Sequence, residues 1–164
     1  MNELLPLEGE SLLATLEEVG VEFVVIGGFA VSAHGELPTT KDLEVVPAPD
    51  PENLTRLAEA LDRLGAQVQG TEEFSEDEVV QLDADGLALG GNFVLNTDHG
   101  RLDILQFVAP ELEYAELRSA AIEDFVFGHR IRFCGYDHLV AMKEAAGRPE
   151  DLLDLRRLRE ARGE

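Results

Sequence analysis

The run Phe23-Val24-Val25-Ile26 and the glycine pair that ends it constrain this chain more than any other segment. Four apolar residues without alternation, two of them valine, predict a strand buried in a sheet. Gly27-Gly28 breaks the run, and residues 29–34 have the pattern of a short helix ending at Gly35. A buried strand that turns on glycine into a helix points toward an α/β fold, which the order of the later elements specifies.

The remaining segments extend that frame. Residues 11–19 place Leu12, Leu13, Leu16 and Val19 on one helical face, and Gly20 stops the helix. Residues 43–46 form a second strand, closed by Pro47 and Pro49. Asp50-Pro51 is an N-cap followed by proline at the first helical position, and that helix runs to Leu64 and stops at Gly65. Residues 69–85 are acidic and poorly patterned, predicting loop with at most a short strand. Gly90-Gly91 is a turn. Strands over 93–96 and 101–108 flank Thr97-Asp98-His99-Gly100, and strands over 122–127 and 130–133 flank Gly128-His129, which suggests two hairpins. Helices are expected over 114–120, 136–146 and 149–162, the last two separated by Gly147. The expected fold class is α/β (α+β): a mixed sheet flanked by helices. Hairpins supply its antiparallel pairs, and crossovers join the early strands. The chain is expected to be one domain over residues 1–164, with a core at about 20–135 and a helical part at about 136–162.

Composition bounds what such a domain can do. No apolar run approaches the roughly 20 residues that cross a bilayer. The N-terminal segment MNELLPLEGE lacks the basic region of a signal peptide, and Cys134 is the only cysteine, which favours a buried, inert thiol in the cytoplasm. The formal net charge of −21 opposes binding to anionic membrane or bulk duplex DNA and favours solubility, a basic partner or adaptation to salt. Among 13 basic residues, only Lys41 and Lys143 are lysines. His34, His99, His129 and His138 have no zinc-like spacing, and His99 and His129 fall in predicted turns.

The candidate chemistry lies in three carboxylates. Asp42 and Glu44 open the second strand two residues apart, so both project to one face. Asp103 is the only acid in the otherwise largely apolar Arg101–Phe107 stretch, where an unpaired charge would be costly. If the two strands are neighbours, the three acids converge. Hard divalent ions take oxygen ligands, and magnesium combines one or two carboxylates with substrate phosphates. Glycines such as Gly27 and Gly28 let backbone approach a ligand closely at a helix start.

In this order, Val25-Ile-Gly-Gly-Phe-Ala-Val-Ser-Ala-His-Gly35, Thr39-Thr-Lys-Asp-Leu-Glu-Val-Val46 and Arg101-Leu-Asp-Ile-Leu105 resemble the nucleotidyltransferase superfamily that includes DNA polymerase β. The similarity is greatest to small bacterial proteins grouped near AbiEii-type toxins. The segment from Ala141 to Leu155 resembles the closing lysine/aspartate helices of that group, so the resemblance touches residues 23–158. It implies metal-dependent transfer of a nucleoside monophosphate from an NTP to an acceptor hydroxyl, with release of pyrophosphate. It assigns Mg²⁺ or Mn²⁺ to Asp42, Glu44 and Asp103, with Asp103 also a candidate base. Lys143 joins them as a catalytic residue supported by Asp151 or Asp154, and Gly27, Gly28, Lys41 and Asp154 bind nucleotide. The acceptor it implies is a tRNA, a protein or a small molecule, and a cognate toxin–antitoxin partner follows from the same comparison. Glu44 stands where aspartate is commoner, and Gly28 where many members carry serine.

Each motif has a plainer account. A tight turn explains Gly27-Gly28, a solvated strand start explains Asp42 and Glu44, and a cap or pairing with Arg101 or Arg130 explains Asp103. Arg156, Arg157, Arg159 and Arg162, interspersed with acids, read as a solvated helix face. The function that competes with catalysis is a non-catalytic nucleotide-binding or toxin–antitoxin interaction module.

Overall fold

In the computed structural model, which describes residues 7–34, 41–69 and 81–163, the elements follow in the order helix, strand, helix, strand, helix. Helix α1 (Gly9–Val19) buries Leu12, Leu13 and Leu16 completely and ends at Gly20, whose φ of 85° is the left-handed conformation of a helix C-terminus. Strand β1 (Phe23–Ile26) is buried at all four residues. Helix α2 (Gly27–Ala33) begins on the first glycine, two residues earlier than its apolar pattern suggested. Strand β2 (Asp42–Pro47) leads to α3 (Pro51–Arg63), whose N-terminus is capped as expected: the Asp50 side chain accepts from the Asn53 N–H at 3.1 Å. Asn53 itself is fully buried; its Oδ1 accepts from Glu22 N–H at 2.7 Å and its amide donates to the Glu22 and Ala48 carbonyls. That residue fastens the entry of β1 to the exit of β2.

Strand β3 (Gln67–Val68) is short, and residues 70–80, most of the acidic stretch expected to be loop, lie outside the described residues. Within the rest of that stretch begins a helix the pattern did not reveal, α4 (Ala84–Ala88), capped by Asp83 and anchored by buried Leu87. Strands β4 (Asn92–Thr97) and β5 (Gly100–Leu105) form the first hairpin, with the Thr97 hydroxyl donating to the Gly100 carbonyl at 2.7 Å. β5 ends at Leu105, short of the expected Val108. After α5 (Tyr114–Ser119), β6 (Ile122–Val126) and β7 (His129–Phe133) make the second hairpin. Its two turn residues, Phe127 and Gly128, both have positive φ, as the commonest two-residue turn requires. Helices α6 (Tyr136–Ala146) and α7 (Pro149–Ala161) close the chain on either side of Gly147.

The strands form one mixed seven-stranded sheet in the order β3-β4-β5-β2-β1-β7-β6. β1 and β2, expected to be joined by a crossover, are antiparallel neighbours. The parallel pairs are non-sequential: β2 with β5, and β1 with β7. Helices flank the sheet in two groups, α1 with α3 and α4, and α2 with α6 and α7. Among the described residues, no helix is long and apolar enough to cross a membrane.

Candidate active site

The β2–β5 register decides where the acids fall. Asp42 is opposite Arg101, and Glu44 is opposite Asp103. Side chains alternate across a strand, so these four share one sheet face. Leu43, Val45, Leu102 and Ile104 point the other way and are completely buried. The apolar set fixes the register, because a slip of one residue would put charges into the core. Asp42, Glu44 and Asp103 each offer an oxygen, and these lie within 4.8 Å of one another. An all-carboxylate donor set at that spacing fits a hard divalent cation.

Each acid has its own surroundings. Glu44 lies against Gly27, which has a φ of 72°, and a Cβ there would overlap the Glu44 carboxylate. The first glycine therefore has two local causes, a left-handed backbone and the space a carboxylate occupies. Burial, with Asp42 and Asp103 nearby, pushes Glu44 from its ordinary 4.5 up to about 7; Lys143 and Arg148 pull the other way. Asp103 is 4 % exposed. Arg101 binds it as a fork, Nε to Oδ1 and Nη2 to Oδ2, both at 3.0 Å. Burial raises the Asp103 pKa, with Asp42 adding to it, against the lowering effect of Arg101. Arg101 Nη2 is also 3.9 Å from Asp42 Oδ2.

The other predicted residues spread around this cluster. Gly28 is the second residue of α2, and Lys41 is exposed immediately before Asp42. Lys143 is buried, and its Nζ is 3.3 Å from Asp151 Oδ1 and 3.0 Å from Asp154 Oδ2. Both aspartates hold it, whereas the sequence had left open which one. Its charge still acts on Glu44, but the ammonium is committed to α7. Arg148 binds Asp151 at 2.7 Å and also acts on Glu44. The sequence named Arg101 only as a pairing partner of Asp103, which it is, and gave Arg148 no part in the site. The signal for Arg101 was its position two residues before Asp103 on the same strand face.

The bystanders are also accounted for. Cys134 is buried, and burial pushes its thiol up to about 12. His99 lies in the β4–β5 turn, but His129, expected in a turn, opens β7 and sits 2.6 Å from Glu17. Arg159 pairs with Glu144 at 2.9 Å, and Arg162 lies 3.9 Å over the Tyr136 ring.

No protein-family model matches the sequence, and no curated protein matches it. Solved structures do. The lincosamide antibiotic adenylyltransferase LnuA, lincomycin-bound, is similar with a TM-score of 0.62 and 12% identity over 95% of this chain and 99% of that one. ANT(2'')-Ia in complex with adenylyl-2''-tobramycin is similar with a TM-score of 0.57 and 17% identity over 93% and 86%. A putative nucleotidyltransferase, TM1012 from Thermotoga maritima, gives 0.53 and 16% over 93% and 94%. The chain has a nucleotidyltransferase-like fold.

Proposed function

We propose that this chain transfers a nucleoside monophosphate from an NTP to an acceptor hydroxyl. The observation that carries the reading is the convergence of Asp42, Glu44 and Asp103 from two adjacent strands. Asp42, Glu44 and Asp103 would together hold a divalent ion, Mg²⁺ or Mn²⁺. When bound, such an ion neutralises phosphate charge and makes the acceptor hydroxyl easier to deprotonate. The acceptor oxygen attacks the α-phosphorus, and the bond from that phosphorus to the bridging oxygen breaks. Pyrophosphate leaves with the bonding electrons, and the hydroxyl proton passes to Asp103 or to water. The backbone at Gly27 and Gly28 and the charge of Lys41 would bind the triphosphate, and Lys143, positioned by Asp151 and Asp154, offsets the charge of the acids.

Charge and the structural neighbours support a small-molecule acceptor over a nucleic acid. At −21 the chain repels RNA and duplex DNA over its surface as a whole, so a tRNA would have to be held locally. A small hydroxyl-bearing cation faces no such barrier. The names of two structural neighbours point to small-molecule antibiotics. A protein acceptor and a toxin–antitoxin partner remain part of the wider proposal through the sequence resemblance alone. The test is incubation with α-labelled NTPs and Mg²⁺ against whole-cell RNA, lysate protein and a panel of cationic small molecules. Label should move to one acceptor class, and Asp42→Asn should lower the rate at least about 100-fold.

A non-catalytic nucleotide sensor is the second reading, favoured by the Arg101 fork that occupies both oxygens of Asp103. Metal-dependent NTP binding without label transfer to any acceptor would support it.

A further inference from the structure

The acidic cluster already contains a cation of its own. Arg101 sits on the same face as Asp103, opposite Asp42 in the register, and spans both Asp103 oxygens at 3.0 Å. Its Nη2 is 3.9 Å from Asp42, so one guanidinium serves two of the three acids and leaves Glu44 to the Gly27 side. Asp103 is almost completely buried, whereas the Arg101 side chain is 37% exposed. The carboxylate cannot move out to meet an ion, but the guanidinium has solvent to turn into. A divalent ion and a guanidinium held by one carboxylate repel each other. A planar fork that fits a carboxylate fits a phosphate equally well.

We propose that Arg101 is a latch on Asp103: it competes with the divalent ion for that carboxylate and releases it when its guanidinium transfers to a phosphate of the incoming nucleotide. This rests on the metal and NTP reading above. It adds an order of events, in which Asp42 and Glu44 meet the ion first and Asp103 is freed as a ligand or base once nucleotide arrives. Ion binding without nucleotide is held weak by the chain's own arginine.

The latch makes two affinities move in opposite directions, which a merely structural arginine would not do. Mn²⁺ binding to the purified chain is measured by the paramagnetic resonance signal of free Mn²⁺, and binding of a non-hydrolysable NTP analogue by calorimetry. Arg101→Met should bind Mn²⁺ about tenfold more tightly than the unaltered chain in the absence of nucleotide. The same variant should bind the Mn²⁺–analogue complex more weakly. In an Asp103→Asn background the Mn²⁺ gain should vanish, because the contested ligand is gone. Arg101→Lys keeps the charge but cannot span both oxygens, so it should fall between the two, and it carries the test if Arg101→Met fails to fold. Unchanged or weaker Mn²⁺ binding by the Arg101 variants, with the unaltered chain binding normally, overturns the latch and leaves the metal site standing. No Mn²⁺ binding by any form, with or without the analogue, overturns both.

Discussion

Glu44 is held against a glycine backbone with two other carboxylates beside it, and its protonation follows from that placement. Between the ordinary 4.5 and the folded value of about 7, the native carboxyl keeps a proton that the unfolded chain has released. Stability of the metal-free chain therefore falls as pH rises through that window, the opposite of a salt-bridged carboxylate. Thermal melts in the presence of a chelator should show the midpoint dropping by roughly 5 °C between pH 5 and pH 8 from this group. Glu44→Gln should remove that component, and a slope identical in the Gln variant would show that Glu44 is not its source. The same residue shows why one glycine in the Gly27-Gly28 pair is set by local geometry. Gly27 needs both its positive φ and the absence of a Cβ.

Elements that announce themselves through a cap or an unbroken apolar run were legible from the sequence. β1 and α3 appear where Phe23–Ile26 and Asp50-Pro51 placed them, and both hairpins form around their turns. Helix α4 was missed because five residues carry too little periodicity, and only Asp83 and Leu87 mark it. The pairing of β1 with β2 was missed because strand order is a long-range property: the two are antiparallel neighbours here, with the seven-residue α2 between them in the chain. The convergence of the acids depended on β2 and β5 being neighbours, which spacing suggested but could not fix. The sequence singled out Lys143 for its rarity, and the structure makes it the joint between α6 and α7, with Asp151 and Asp154 as its partners. Removing Lys143 takes away the 3.0 Å partner of Asp154, while Arg148 still holds Asp151. Lys143→Ala should therefore lower stability by about 2 kcal/mol in denaturant titration. An unchanged midpoint with lost activity would assign the lysine to chemistry instead.

At the scale of the whole molecule, a chain with a net charge of −21 gathers three of its acids at one place on β2 and β5. Such a field drives away anionic nucleotide unless a cation accompanies it. The basic groups near the acids are tied to carboxylates before nucleotide arrives: Lys143 to Asp151 and Asp154, Arg148 to Asp151, and Arg101 to Asp103, which it leaves only on nucleotide binding in the latch proposed above. Nucleotide binding should therefore depend on a divalent ion held by β2 and β5, and that dependence is the core of the account. The direct measurement is calorimetric binding of a non-hydrolysable NTP analogue with Mg²⁺ and again with chelator, repeated for a variant carrying Asp42→Asn and Glu44→Gln. The unaltered chain should bind only with Mg²⁺, and the double variant should lose at least about 100-fold in affinity, on the order of 3 kcal/mol. Equal affinity with and without the ion, or unchanged binding by the double variant, would contradict it.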